Sequence, residues 1–274
     1  MTTAHQLADV RLELGEGALA VDEREFLCVD IRAGRVFRSD LDGSFESIHH
    51  GSATVGAAAL ADDGSLVVCD GLAVEHVGHK RSIALERSHL DLRLNDARVD
   101  PVGRLVGGTM ADPPVPGAGA LWSFDGGRTR LLVDDVTISN GLAWSADGDT
   151  MFYIDTPTQR IDAFDYDVTD GTIDGRRVAV EIDADHGSPD GMCIDAEGGL
   201  WVALWDGSAV HRYVDGRLDE IVEVPTPFVT CPAIVGTTLV ITTASEGRDG
   251  DPLAGLVFAA DVGITAPAPR PRVD

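Results

Sequence analysis

The sequence predicts an all-β chain folded as a six-bladed β-propeller of four-stranded antiparallel blades. Glycines and prolines interrupt nearly every window of helical length, so no 3.6-residue periodicity is sustained. In its place one unit recurs six times: a short strand, an acidic-Gly turn, and a second strand rich in β-branched or aromatic residues. Apolar segments near the two ends of the chain offer partners for closing the ring.

The clearest copies are Ala61-Asp62-Asp63-Gly64, Asp100-Pro101-Val102-Gly103, Ser145-Ala146-Asp147-Gly148 and Asp195-Ala196-Glu197-Gly198, each running into an apolar strand. Degenerate copies lie at Val21-Asp22-Glu23 and Val235-Gly236-Thr237. From Asp22 to Asp63 is 41 residues, then 39 to Val102, 45 to Asp147, 50 to Glu197 and 40 to Thr237. Spacing of that size suits one four-stranded blade per unit. Asp-Gly and Glu-Gly supply the positive backbone angle of a tight hairpin. Further signals between the units, at Asp40-Leu41-Asp42-Gly43, Asp125-Gly126-Gly127 and Val214-Asp215-Gly216, mark outer hairpins. Val10-Arg11-Leu12-Glu13-Leu14 is the expected closing partner of the segment from Gly255 to Ala260. One domain over 1–274 is expected, with 266–274 a Pro-rich tail.

The bulk properties narrow the function. Forty-four per cent of the 274 residues are hydrophobic, enough to fill a core. Acidic residues outnumber basic ones 46 to 21, a formal net charge of −25 that repels phosphate backbones and anionic lipid and argues against nucleic-acid or membrane partners. No apolar run has the length of a bilayer span, and Met1 to Arg11 lacks the pattern of a secretory signal, so the expected location is cytoplasmic. Cys28, Cys69, Cys193 and Cys231 form no C-x-x-C pair, and most sit in apolar runs, as free thiols in a reducing compartment do.

Register within the repeat picks out a candidate site. Asn95, Asn140 and Asp190 each lie 7 residues before the turn of their unit, and Glu16 lies 6 before Asp22. Gly56 and Thr230 fill the same place in the second and sixth units. Asn-Gly and Asp-Gly are each common hairpin formers, but four such residues in register suit a divalent cation held by oxygen donors. Arg93, two residues before Asn95, is placed to bind a carboxylate or an oxyanion. Asp30, Asp70 and Asp155 each end an apolar run, and strand-end turn roles are expected for them.

With these pieces in order (Leu14-Gly15-Glu16-Gly17, Arg93-Leu94-Asn95-Asp96, Gly107-Gly108-Thr109-Met110, Ser139-Asn140-Gly141-Leu142-Ala143 and Pro189-Asp190-Gly191), almost the whole chain resembles the senescence marker protein/gluconolactonase family, which includes regucalcin and bacterial sugar lactonases. The resemblance implies a six-bladed propeller with one metal ion bound by Glu16, Asn140 and Asp190, and substrate contacts from Arg93 and Asn95. It implies hydrolysis of an aldonic-type sugar lactone, with Asp190 taking the proton of the attacking water. Calcium, zinc, manganese, magnesium and Fe(II) all remain open as the metal. A carboxylate that some members carry after Gly-Thr-Met falls at Pro113, and Asp112 is the candidate replacement. The alternatives are a non-catalytic calcium-binding propeller, and an esterase or organophosphate hydrolase using the same chemistry.

Overall fold

The computed structural model describes residues 2–79, 81–86, 90–248, 250–267 and 273. Six sheets, each built on four antiparallel strands, follow one another along the chain. The first blade holds Gly15–Ala20, Glu25–Asp30, Arg35–Asp40 and Phe45–His50. The second holds Val55–Leu60, Leu66–Asp70, Ala73–His76 and Arg81–Ala84, and the third Leu92–Val99, Leu105–Ala111, Gly119–Asp125 and Arg128–Val136. The fourth holds Ser139–Trp144, Thr150–Asp155, Arg160–Tyr166 and Ile173–Glu181, and the fifth Ser188–Ile194, Leu200–Trp205, Ala209–Val214 and Arg217–Glu223. The sixth takes Val229–Val235, Thr238–Thr243 and Val257–Asp261 from the end of the chain and its fourth strand, His5–Ala8, from the beginning.

Each predicted turn joins the first and second strands of its blade, and the three outer hairpin signals join third to fourth strands. First strands are almost wholly buried and touch the first strands of neighbouring blades, so they ring the central channel. Fourth strands carry exposed residues, as in Arg128–Val136 and Arg217–Glu223. The core is therefore divided. Among the described residues, six apolar clusters each lie between two adjacent blades, and a seventh, of Ala18, Cys231 and Ala233, lies near the axis. Trp201 and Phe258 share the cluster between the fifth and sixth blades, and Tyr153 lies with Leu121 in the one between the third and fourth. All four cysteines are free and three are buried.

Ring closure differs from expectation in one respect. The strand paired with Val257 to Ala259 is His5–Ala8, not the segment from Val10 to Leu14. Leu12 and Leu14 are buried in the clusters that flank the first blade, so that segment turns inward and cannot serve as an outer edge. Thr2–Thr3 continues outward and pairs in parallel with the fourth strand of the fifth blade. Of the expected tail, only Ala266, Pro267 and Val273 are described; Val273 bridges to Ala61 of the second blade.

Candidate active site in the channel

Glu16, Asn95, Asn140 and Asp190 occupy one structural position in four blades. At each, the ladder between first and second strands breaks register: between Glu16 and Leu19, Leu94 and Ala97, Ser139 and Leu142, and Pro189 and Met192. The other two blades break at the same place, around Gly56 and around Thr230. A bulge unpairs a residue and re-aims its side chain. All four side chains are buried, so the chain carries polar groups where burial ordinarily disfavours them.

The glycines after Asn140 and Asp190 serve close packing rather than a hairpin turn. Both lie within strands. A Cβ on Gly141 would sit 2.8 Å from the Asp190 carbonyl oxygen, and one on Gly191 2.7 Å from that of Thr230. Gly56 lets the third blade approach in the same way, since a Cβ there would meet Leu94 O at 2.4 Å. Thr230 donates to Gly15 O at 2.5 Å and so ties the sixth blade to the first.

The strand-end aspartates fasten the loops that lead into the site. Asp30 accepts from the amides of Glu13 and Leu14, Asp70 from Ser52 and Ala53, and Asp155 from Thr137 and Ile138. In each case the held amides lie just upstream of the bulge position. The expected structural role is what the hydrogen bonds show.

A hydrogen-bond chain crosses three blades. Arg93 Nη1 donates to Asn95 Oδ1 at 2.5 Å, and Asn95 Nδ2 donates to Asn140 Oδ1 and to Ser139 O, both at 2.8 Å. Asn140 Nδ2 in turn donates to Thr156 Oγ1 at 2.8 Å, and that hydroxyl spends its own proton on Pro189 O at 2.8 Å. Because the threonine proton is committed, Thr156 can only accept from Asn140, which fixes the amide with its carbonyl oxygen on the far side.

The carboxylates are electrostatically crowded. Burial raises Glu16 to about 7, Asp96 adds to the rise, and the Gly17 amide, Arg98 and Arg93 oppose it. Burial likewise pushes Asp190 well above the usual carboxylate range, followed by the charges of Glu16 and Asp96 and a hydrogen bond with Glu16. Beneath them Asp96 pairs with Arg98, Nη1 to Oδ1 3.2 Å, and Arg98 Nη2 reaches Cys231 Sγ at 3.0 Å. Two facing, buried carboxyls whose charges repel each other, together with an oriented amide oxygen, form a donor set that fits a divalent cation.

At the mouth, Arg93 Nε lies 3.3 Å from Asp112 Oδ2, and Arg32 from the first blade pairs with Asp112 as well. Arg32 Nη2 also reaches Glu246 Oε1 at 3.1 Å. Burial draws the pKa of Arg93 down, with Asp112 opposing. The structure links Arg93 to Asn95, Asn140 and Asp112 and sets Glu16 against Asp190, and it adds Asp96, Arg98, Thr156 and Arg32 around them. Asp96 stands in a quoted motif, but strict alternation from Asn95 turns it away; the bulge brings it in. Arg32 lies in a surface turn with no sequence signal.

Comparison with known proteins agrees with this architecture. The family model described as the SMP-30/gluconolactonase/LRE-like region matches residues 14–245. Regucalcin of Gallus gallus is 35% identical, with 95% of both chains covered. A Bacillus subtilis (strain 168) protein named as a candidate sugar lactone lactonase, YvrE, is 36% identical, with 93% of both covered. The crystal structure of a calcium-binding protein, regucalcin, from Agrobacterium tumefaciens superposes with a TM-score of 0.88 at 28% identity, covering 99% of this chain and 97% of that one. The chain belongs to the SMP-30/gluconolactonase/LRE-like family.

Proposed function

We propose that this chain hydrolyses an aldonic-type sugar lactone to the open-chain acid, using one divalent cation held by Glu16, Asn140 and Asp190. The observation that carries the reading is the crowded pair Glu16 and Asp190 beside an amide oxygen held in place by Thr156, with Arg93 and Asn95 alongside. A divalent cation bound there supplies the charge that polarises the lactone carbonyl and acidifies the attacking water. Asp190 accepts the proton of that water as its oxygen bonds to the carbonyl carbon. Arg93 and Asn95 orient the substrate's oxygens and stabilise the negative charge of the tetrahedral intermediate. The ring C–O bond then breaks, and Asp190 returns its proton to the departing alkoxide, leaving a hydroxyl and a carboxylic acid that releases its own proton to solvent. Asp112 and Arg32 at the mouth select among sugar hydroxyl patterns. The four free cysteines support a cytoplasmic setting.

A panel of sugar lactones and aryl esters, followed with a pH indicator, tests this. Chelation should abolish lactone hydrolysis and readdition of a divalent ion restore it. Asp190→Asn should lose at least about 100-fold in kcat, the usual scale of a lost general base, without a change in fold. Full activity of Asp190→Asn would overturn the assignment.

The second reading, calcium binding without catalysis, draws on the all-oxygen donor set and on the regucalcin relatives. Tight calcium binding with no turnover on any lactone would establish it instead.

A further inference from the structure

At the end of the second blade away from the channel mouth, two turns converge. Gly56 lies near the start of Val55–Leu60, so the turn after Leu60 stands at the opposite end of the blade from the site described above. That turn closes with Gly64 N donating to Ala61 O at 2.9 Å, with Gly64 at φ +83°, and it presents Asp63. The next turn at this end joins Ala73–His76 to Arg81–Ala84. His79 N donates to His76 O at 3.0 Å, and Gly78 at φ +82° supplies the positive angle that such a turn requires. His76 and His79, first and fourth residues of that turn, are thereby brought face to face, their ring centroids 4.0 Å apart. Because His76 pairs with Val67 across the sheet, it comes beside Ser65, whose hydroxyl contacts both Asp63 and His76 Nε2.

The geometry points to a second divalent-cation site, formed by the Asp63 carboxylate and the His76 and His79 imidazoles and selective for a borderline ion such as Zn(II), Ni(II) or Cu(II). One ligand atom from each residue lies within 4.8 Å of the others. His79 Nε2 is 3.4 Å from Asp63 Oδ2. Metal–ligand bonds of about 2.0–2.1 Å in a tetrahedron place neighbouring ligands about 3.3 Å apart, so this edge is already at bonding size. The other ligands need only side-chain rotation, which the half-exposed His79 and Asp63 permit. Water completes the set.

The donor chemistry separates this site from the channel. Imidazole nitrogen suits zinc, nickel and copper, whereas calcium and magnesium take oxygen ligands such as those offered by Glu16, Asn140 and Asp190. A net charge of −25 draws cations to the surface generally. An ion here clips the outer hairpin of the second blade, whose fourth strand is only four residues long and largely exposed, to the turn beneath it.

The test is a calorimetric titration of the chelator-treated full chain with Zn2+, comparing the unaltered protein with His79→Ala and Asp63→Asn. Both positions are exposed, and the asparagine keeps the oxygen that caps its own turn. Each variant should bind one fewer zinc ion per chain than the unaltered protein, whatever the channel binds, and should lose the part of the zinc-induced rise in Tm that this site supplies. In proton NMR the ring signals of His76 and His79 should move with Zn2+ and stay still with Ca2+. Unchanged zinc stoichiometry and affinity in His79→Ala, or ring signals indifferent to Zn2+, would overturn the proposal.

Discussion

Asn95 in the third blade donates through Nδ2 to Oδ1 of Asn140 in the fourth, 2.8 Å away, and Asn140 passes the polarity on to Thr156. The two amides are thus locked head to tail between Arg93 and the Pro189 carbonyl. Orientation of a metal-binding amide through an outer hydrogen bond has a measurable price in affinity.

Thr156→Val removes the acceptor that holds Asn140 Nδ2 while keeping shape. Divalent-ion affinity of the channel should fall about 10- to 100-fold, as outer-sphere losses do. Thr156→Ser should restore it, because only the hydroxyl matters. Calorimetric titration with Ca2+ or Mn2+ on all three proteins, with a melting curve for each, checks this.

Arg93→Gln removes a buried cation from the mouth of the channel and should lower kcat/KM on a lactone substrate about 10- to 100-fold, the scale of a lost charge-assisted hydrogen bond. Metal affinity should hold within a few-fold, which separates a substrate contact from a collapse of the site. Steady-state kinetics and a parallel metal titration give the two readouts.

His211 gives the pH dependence of stability a readable component. Burial, followed by the nearby His186, lowers its pKa from 6.5 to about 4, and its Nδ1 lies 3.1 Å from Tyr213 Oη. Between those values the unfolded chain binds a proton that the folded chain refuses. Stability is therefore whole above pH 6.5 and declines as the pH falls toward 4, by about 2–3 kcal/mol from this residue. Urea unfolding at pH 7.5 and 4.5 should show a smaller loss in His211→Phe than in the unaltered protein.

Asp195→Ala should destabilise by about 3–5 kcal/mol, the usual cost of stripping a partner from a buried charge. Its carboxylate accepts from the Glu197 and Gly199 amides, from Trp201 Nε1 at 2.9 Å and from Arg212 Nε at 2.7 Å. Arg212 would keep Asp219 and Glu197, both more exposed, and lose the one fully buried partner. The denaturation midpoint at pH 7 reads the effect.

The blades were legible in the sequence because turns such as Ala61-Asp62-Asp63-Gly64 are local, and a period of about 40 residues needs no tertiary information. Equally legible was the register of Glu16, Asn95, Asn140 and Asp190, because a structural repeat puts equivalent residues at equal distances from equivalent turns. The bulges were not, and with them went Asp96, which a simple alternation of sides hides. Thr156 and Arg32 were out of reach for another reason. Each acts through a partner on a different blade, Pro189 for one and Asp112 for the other, and no spacing along the chain encodes those meetings. The closing strand was misplaced because Val10 to Leu14 has the stronger apolar pattern, and that pattern reports burial between blades rather than an edge.

The pairing of His5 with Ala259 has a kinetic meaning. Five blades are assembled from hairpins whose strands are neighbours on the chain and can condense as they leave the ribosome. The seam joins segments some 250 residues apart, so it forms late. Until then the apolar sides of the fifth and sixth blades lack part of their cover. A circular permutant in which His5–Ala8 directly follows Val257–Asp261 turns that seam into an ordinary hairpin, and it should refold faster than the natural order of the same strands.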